Sequence, residues 1–155
     1  MAREKMVRKA ADNVYLHKDF HGVLSIGIEY LQQRYGPEAV REYLRQFASS
    51  FYAPLTEKLR EQGLGALQEH LEQAYRVEGG SIEIRCSQDE LVLEVEACPA
   101  VTHLRQRGFP VASLFYETST TVYESICAGT PFACEWLAYD ERTGRSKVRF
   151  YRRCA

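Results

Sequence analysis

A chain of 155 residues, 45% hydrophobic and 26% charged, fits one ordinary globular domain and excludes a disordered or fibrous polypeptide. Twenty Lys and Arg against 21 Asp and Glu leave a net charge of −1, with no positive surplus for a nucleic-acid backbone to bind. No apolar run approaches the roughly 18 residues that a membrane span needs.

Residues 1–14 read as a polar leader and 15–155 as one domain. The amino terminus MAREKMVRKAADN lacks the apolar core of a secretory signal. From Asp19, a plausible N-cap, Phe20, Val23, Leu24 and Leu31 recur at helical steps, with Gly22 and Gly27 allowing close approach. Gly36 ends this helix and Pro37 opens the next, which carries Val40, Tyr43, Leu44, Phe47 and Phe51 on one side. Pro54 predicts a kink or restart near 50–53. A further helix follows Gly63, with His70 off its apolar stripe and therefore solvated.

Gly79-Gly80 breaks the helical pattern and the period falls to two. Ile82, Ile84 and Cys86, then Leu91, Leu93, Val95 and Ala97, predict a hairpin with one buried face. A short helix is expected from Pro99 to about Arg107 and a longer one from Ser113 to Ala128. Strands at 132–139 and 146–152 close around an Asp140–Gly144 turn. The order predicts an α+β fold: a four-stranded antiparallel sheet of two hairpins with about five helices packed on it.

The five cysteines (Cys86, Cys98, Cys127, Cys134 and Cys154) are odd in number, widely spaced and contain no CxxC pair. That pattern predicts reduced thiols in the cytoplasm, with neither a disulfide framework nor a zinc knuckle. Cys98 precedes Pro99 at a helix start, where free amides and the helix dipole favour a thiolate; the alternative is a small buried residue at a strand end. His103 lies roughly 140° round the helix from Cys98 and is not its local base.

Glu117, Thr121, Glu124 and Cys127 form a stripe that is either the solvent face of its helix or the wall of a polar pocket. The absence of Lys and Arg between Ser113 and Cys127 marks it as specialised. His17, Asp19 and His21 offer either a capped helix start or a histidine base with an orienting carboxylate. A metal site is the third option there. Its ligands would come from His17, His21, Cys98 and Cys127, with zinc the metal such a set takes. No phosphate-cradling glycine loop, GxSxG elbow or HExxH is present.

The DFHG segment, the Cys-Pro helix start in EACPAVTHLRQRG and the unit YESICAGTPFACEW together resemble the L-2-amino-thiazoline-4-carboxylic acid hydrolase family over about residues 15–153. The closing helix–Gly–strand unit is also similar to the end of 4-vinyl reductase and haem-nitric-oxide-binding-like domains. The first resemblance implies hydrolytic opening of a small cyclic amidine, and Cys98-Pro99 and the Gly129–Cys134 unit carry it. Gly129-Thr130-Pro131 stands where that pattern shows Gly and then an acidic residue.

Three readings follow. The leading one is a small-molecule hydrolase with Cys98 as nucleophile or ligand, His17 or His21 as base, and Glu124 orienting or protonating. Asp19, His103, Glu117, Thr121 and Cys127 are its candidates for substrate contact. The second is a non-catalytic module holding a small ligand or metal between helices and sheet. The third is an interaction protein that dimerises through the sheet or first helix.

Overall fold

The computed structural model describes residues 13–154, with side chains from Lys18 onward. Six helices and four strands follow in the order α1 (Asn13–Tyr35), α2 (Pro37–Phe51), α3 (Ala53–Gln62), α4 (Leu64–Glu78), β1 (Ile82–Cys86), β2 (Glu90–Val95), α5 (Pro99–Gln106), α6 (Glu117–Cys127), β3 (Phe132–Tyr139) and β4 (Ser146–Arg152). The fold is α+β, with all strand pairs antiparallel and the sheet ordered β1-β2-β4-β3.

The sequence expectation of about five helices becomes six because the break near Pro54 is complete. Tyr52 caps α2 and opens α3, with Pro54 in the first turn of α3, where its missing N–H removes no helical bond. Asp19 is not an N-cap. Nothing breaks the helical run from Asn13 to Tyr35, so Asp19 lies inside α1 with its side chain exposed. At α6 the departure is the opposite, a later start: 113–116 form turns, with Glu117 N–H donating to Leu114 O at 3.0 Å, before the helix begins.

Alternation gives the sheet one apolar and one charged face. Leu91, Leu93, Val148 and Phe150 are fully buried. On the opposite face Glu94 accepts from Arg85 at 2.6 Å and Lys147 at 2.8 Å, and Arg149 reaches Glu135 at 2.9 Å and also Glu90. A bulge between Trp136 and Ala138 shifts the register of β3 on β4.

The interior is two apolar clusters. One joins the sheet to α3, α4 and α6 through residues such as Leu59, Leu67, Ile126 and Phe132. The other joins α1, α2 and α5 through Ile28, Val40, Leu44, Val101 and Leu104. Ser25 of α1 fastens the 109–112 segment: its hydroxyl donates to Pro110 O and accepts from Ala112 N–H, both at 2.9 Å. Phe109 packs beside Gly22, but a Cβ there would meet the ring at an ordinary 3.8 Å, so the approach does not require glycine. Gly27 faces open space. Among the described residues no helix is long and apolar enough to cross a membrane.

Candidate functional site

A cavity of about 410 Å³ opens where the two apolar clusters meet. Leu71, Val122 and Ile126 of the sheet-side cluster line it from one side, and Leu24, Leu44 and Ala100 of the other cluster from the opposite side. Its walls are helical, contributed by α1, α2, α4, α6 and the start of α5, so it lies among the helices and not between helices and sheet. Its size falls in the ordinary range for small-molecule sites, roughly 300–1,000 Å³.

Aromatic rings dominate the outer part. Phe47 stacks on Phe51 with centroids 5.3 Å apart, Phe51 meets Tyr52 edge-on at 5.0 Å, and Tyr52 meets His70 edge-on at 5.6 Å. Phe51 is 66% exposed and Phe20 49%, so the run of rings leads inward from solvent. His70, expected in solvent, is instead a half-buried wall residue, and burial lowers its pKa. Its displacement from the apolar stripe put it beside Tyr52, a ring supplied by the α2–α3 break.

Polar groups gather at the inner end. Cys98 stands at the N-cap of α5 with Pro99 in the first turn, as the sequence suggested. The thiol is nevertheless pushed above its ordinary pKa. Burial is the main cause, the Ala100 and Val101 amides oppose it without closing a capping hydrogen bond, and the Glu78 carboxylate adds to the rise. The shift runs against the thiolate alternative and with that of a small buried residue at a strand end. A β3–β4 turn clamps the backbone here, with Cys98 N–H donating to Thr143 O at 3.0 Å.

His21 lines the same cavity, and its Nε2 lies 3.2 Å from Glu78 Oε2. Both side chains are largely shielded, 14% and 17% exposed. Glu78 ends α4, and no motif singled it out; only its position directly before Gly79-Gly80 could have placed it at a helix end facing other elements. Tyr75, one helical turn back, has its phenol pushed up to about 12, first by burial and then by the neighbouring Cys98. Tyr123 is raised further by the same burial and by Tyr75. Thr118 and Ser119 complete this end.

The remaining candidates lie elsewhere. The side chain of His17 is outside the described residues. Asp19 is exposed and does not line the cavity. His103 sits on α5 away from it, with Nε2 buried and without a hydrogen-bond partner. The Glu117 stripe does not act as one face: its Glu117–Thr121 half is buried and paired to α2, while Glu124 is exposed and Cys127 lies in the sheet-side core. Glu117, 4% exposed, accepts from Arg41 Nε at 2.8 Å and from Thr121 Oγ1 at 2.6 Å. The missing cation of α6 is thus supplied by α2.

Glu124 is exposed and outside the cavity. Cys127 is 1% exposed in the sheet-side core. It interacts with Cys134, whose thiol lowers it while being raised in turn. Among the described residues no group of three or more His, Cys, Asp or Glu side chains converges as a metal set would, which leaves His21, Cys98 and Cys127 unassembled. No protein-family model matches the sequence, and no curated protein does.

Proposed function

We propose that the protein is a binding module for a small, mostly apolar molecule held in the 410 Å³ cavity at the seam of its two cores. The observation that carries this is the lining: apolar side chains and aromatic rings make up most of it, with a few hydroxyls, one thiol and two imidazoles among them. Such a lining desolvates an apolar body and leaves a few polar groups to orient it. Among the described residues no Lys or Arg lines the cavity, so no permanent cation there meets a carboxylate of the kind borne by 2-amino-thiazoline-4-carboxylate. With Cys98 neutral and Glu124 outside, binding is better supported than hydrolysis. A reducing, cytoplasmic setting accords with the free cysteines.

The neutral dye N-phenyl-1-naphthylamine tests the reading. The protein should bind it saturably at one site, and Ala74→Phe, which fills the cavity from α4, should abolish binding while far-UV circular dichroism stays unchanged. Equal binding by the folded variant would remove the proposal.

One observation keeps a hydrolase as the second reading: His21, held by Glu78, shares the cavity with Cys98. Glu78 would then take the orienting part first given to Glu124, and the 2-amino-thiazoline-4-carboxylate hydrolase resemblance would extend to chemistry. Iodoacetamide labelling at neutral pH separates the two. The binding reading expects Cys98 to react more slowly than the exposed Cys86 and Cys154; faster reaction at Cys98 would favour the nucleophile.

A further inference from the structure

A second void lies behind Cys98. Its volume is about 10 Å³, and it shares Tyr75, Cys98, Thr118 and Ser119 with the large cavity. That is room for a single oxygen atom or one water. Trp136 of β3 forms part of its far wall, and the indole Nε1 is buried without a hydrogen-bond partner. An indole N–H can only donate, so an oxygen acceptor is what this wall lacks.

The ring is not free to turn its N–H elsewhere. Tyr123 stacks on one face at 6.0 Å with the planes 11° apart, and Tyr139 meets it edge-on at 5.8 Å. The neighbouring groups do not supply the acceptor. The Thr118 hydroxyl donates to Phe115 O at 2.7 Å and does not accept from the indole N–H, and Cys98 offers sulfur, a weak acceptor at best. Among the described residues no Lys or Arg lines either void, so an anionic oxygen would be buried there without a counter-charge.

We propose that the ligand is a flat, uncharged aromatic molecule ending in one hydrogen-bond-accepting oxygen, a ketone or its like, which passes Cys98 and receives the Trp136 N–H. This names the ligand class of the binding module proposed above and rests on that reading. The aromatic body lies among the rings of the large cavity, and the oxygen fills the small one. Specificity then resides in a buried donor that an apolar analogue would leave unpaired.

The test is displacement of N-phenyl-1-naphthylamine from the full chain by three bicyclic probes of one shape. These are 2-acetonaphthone, 2-isopropylnaphthalene and 2-naphthoate. The ketone should bind about tenfold tighter than the hydrocarbon, as expected for one buried hydrogen bond, and the carboxylate should bind more weakly than the ketone. Trp136→Phe keeps the stack on Tyr123 and should bring the ketone down to the hydrocarbon, whose unchanged affinity reports an intact cavity. A ketone no tighter than the hydrocarbon, or a preference that survives Trp136→Phe, would overturn the inference. Failure of all three probes and the dye to bind would instead remove the binding reading itself.

Discussion

Gly144→Ala strikes the point at which the sheet fixes the candidate site. Gly144 has φ +69°, and a Cβ built there would lie 2.3 Å from Cys98 Cβ and 3.3 Å from its backbone nitrogen. Two costs therefore add. The left-handed backbone costs an alanine about 1–2 kcal/mol, and forcing a methyl group into a packed site costs roughly 1–3 kcal/mol. Gly79→Ala is the control: it is left-handed at φ +73° and ψ 24° but nothing lies within 4 Å, so only the first cost applies. Urea unfolding should give a loss of about 2–5 kcal/mol for Gly144→Ala and about 1–2 kcal/mol for Gly79→Ala. The turn cannot retreat cheaply, because Asp140 accepts from Arg142 N–H at 2.9 Å and Thr143 Oγ1 at 3.0 Å, while Gly144 N–H donates to Asp140 O at 2.7 Å. The movement must then fall on Cys98 and the start of α5, so dye binding should weaken in Gly144→Ala and persist in Gly79→Ala. Equal destabilisation by the two substitutions would refute the claim that the turn clamps Cys98.

Stability should fall in alkali for a reason located at the inner end of the cavity. A tyrosine in the unfolded chain ionises near 10 and Tyr75 in the folded protein at about 12, so the unfolded state gives up its proton first. The contribution is whole below about pH 10 and is lost as pH rises toward 12; Tyr75→Phe should flatten the guanidinium midpoint over that window, and an unchanged slope would count against the burial argument. On the other side of α6, Arg41→Ala should lower the urea midpoint clearly more than Arg45→Ala. The first leaves the buried Glu117 carboxylate with only Thr121, whereas the second removes exposed pairs with Glu38 and Glu42. Adding Glu117→Gln to Arg41→Ala should recover part of the loss, and no recovery would mean that the carboxylate charge is not the cause.

The fold was legible because its signals are local. Gly36-Pro37, Gly63 and Gly79-Gly80 mark helix limits whichever way the helices pack, and the alternation through Leu91, Leu93 and Val95 survives as one buried face. Errors came where a distant element decides. Asp19 looked like a cap because the apolar pattern begins after it, yet the helix extends past it to Asn13. Glu117 looked specialised, correctly, but its partner is on α2 and no spacing within α6 could name Arg41.

The site shows why the sulfur could be found and its chemistry could not. Cys98-Pro99 is a local pattern, and it does place a thiol at a helix mouth. The helix amides and the packing then act on that thiol in opposite directions. The first depends on two neighbouring residues and can be read from the chain. The second depends on Glu78, on the β3–β4 turn and on two cores that meet without filling the space between them. Periodicity tells which faces turn inward but is silent on where two inward faces leave a gap. The burial that raises the Cys98 thiol comes from the walls around that gap, so the proposed ligand site and the shift at Cys98 trace to one packing arrangement.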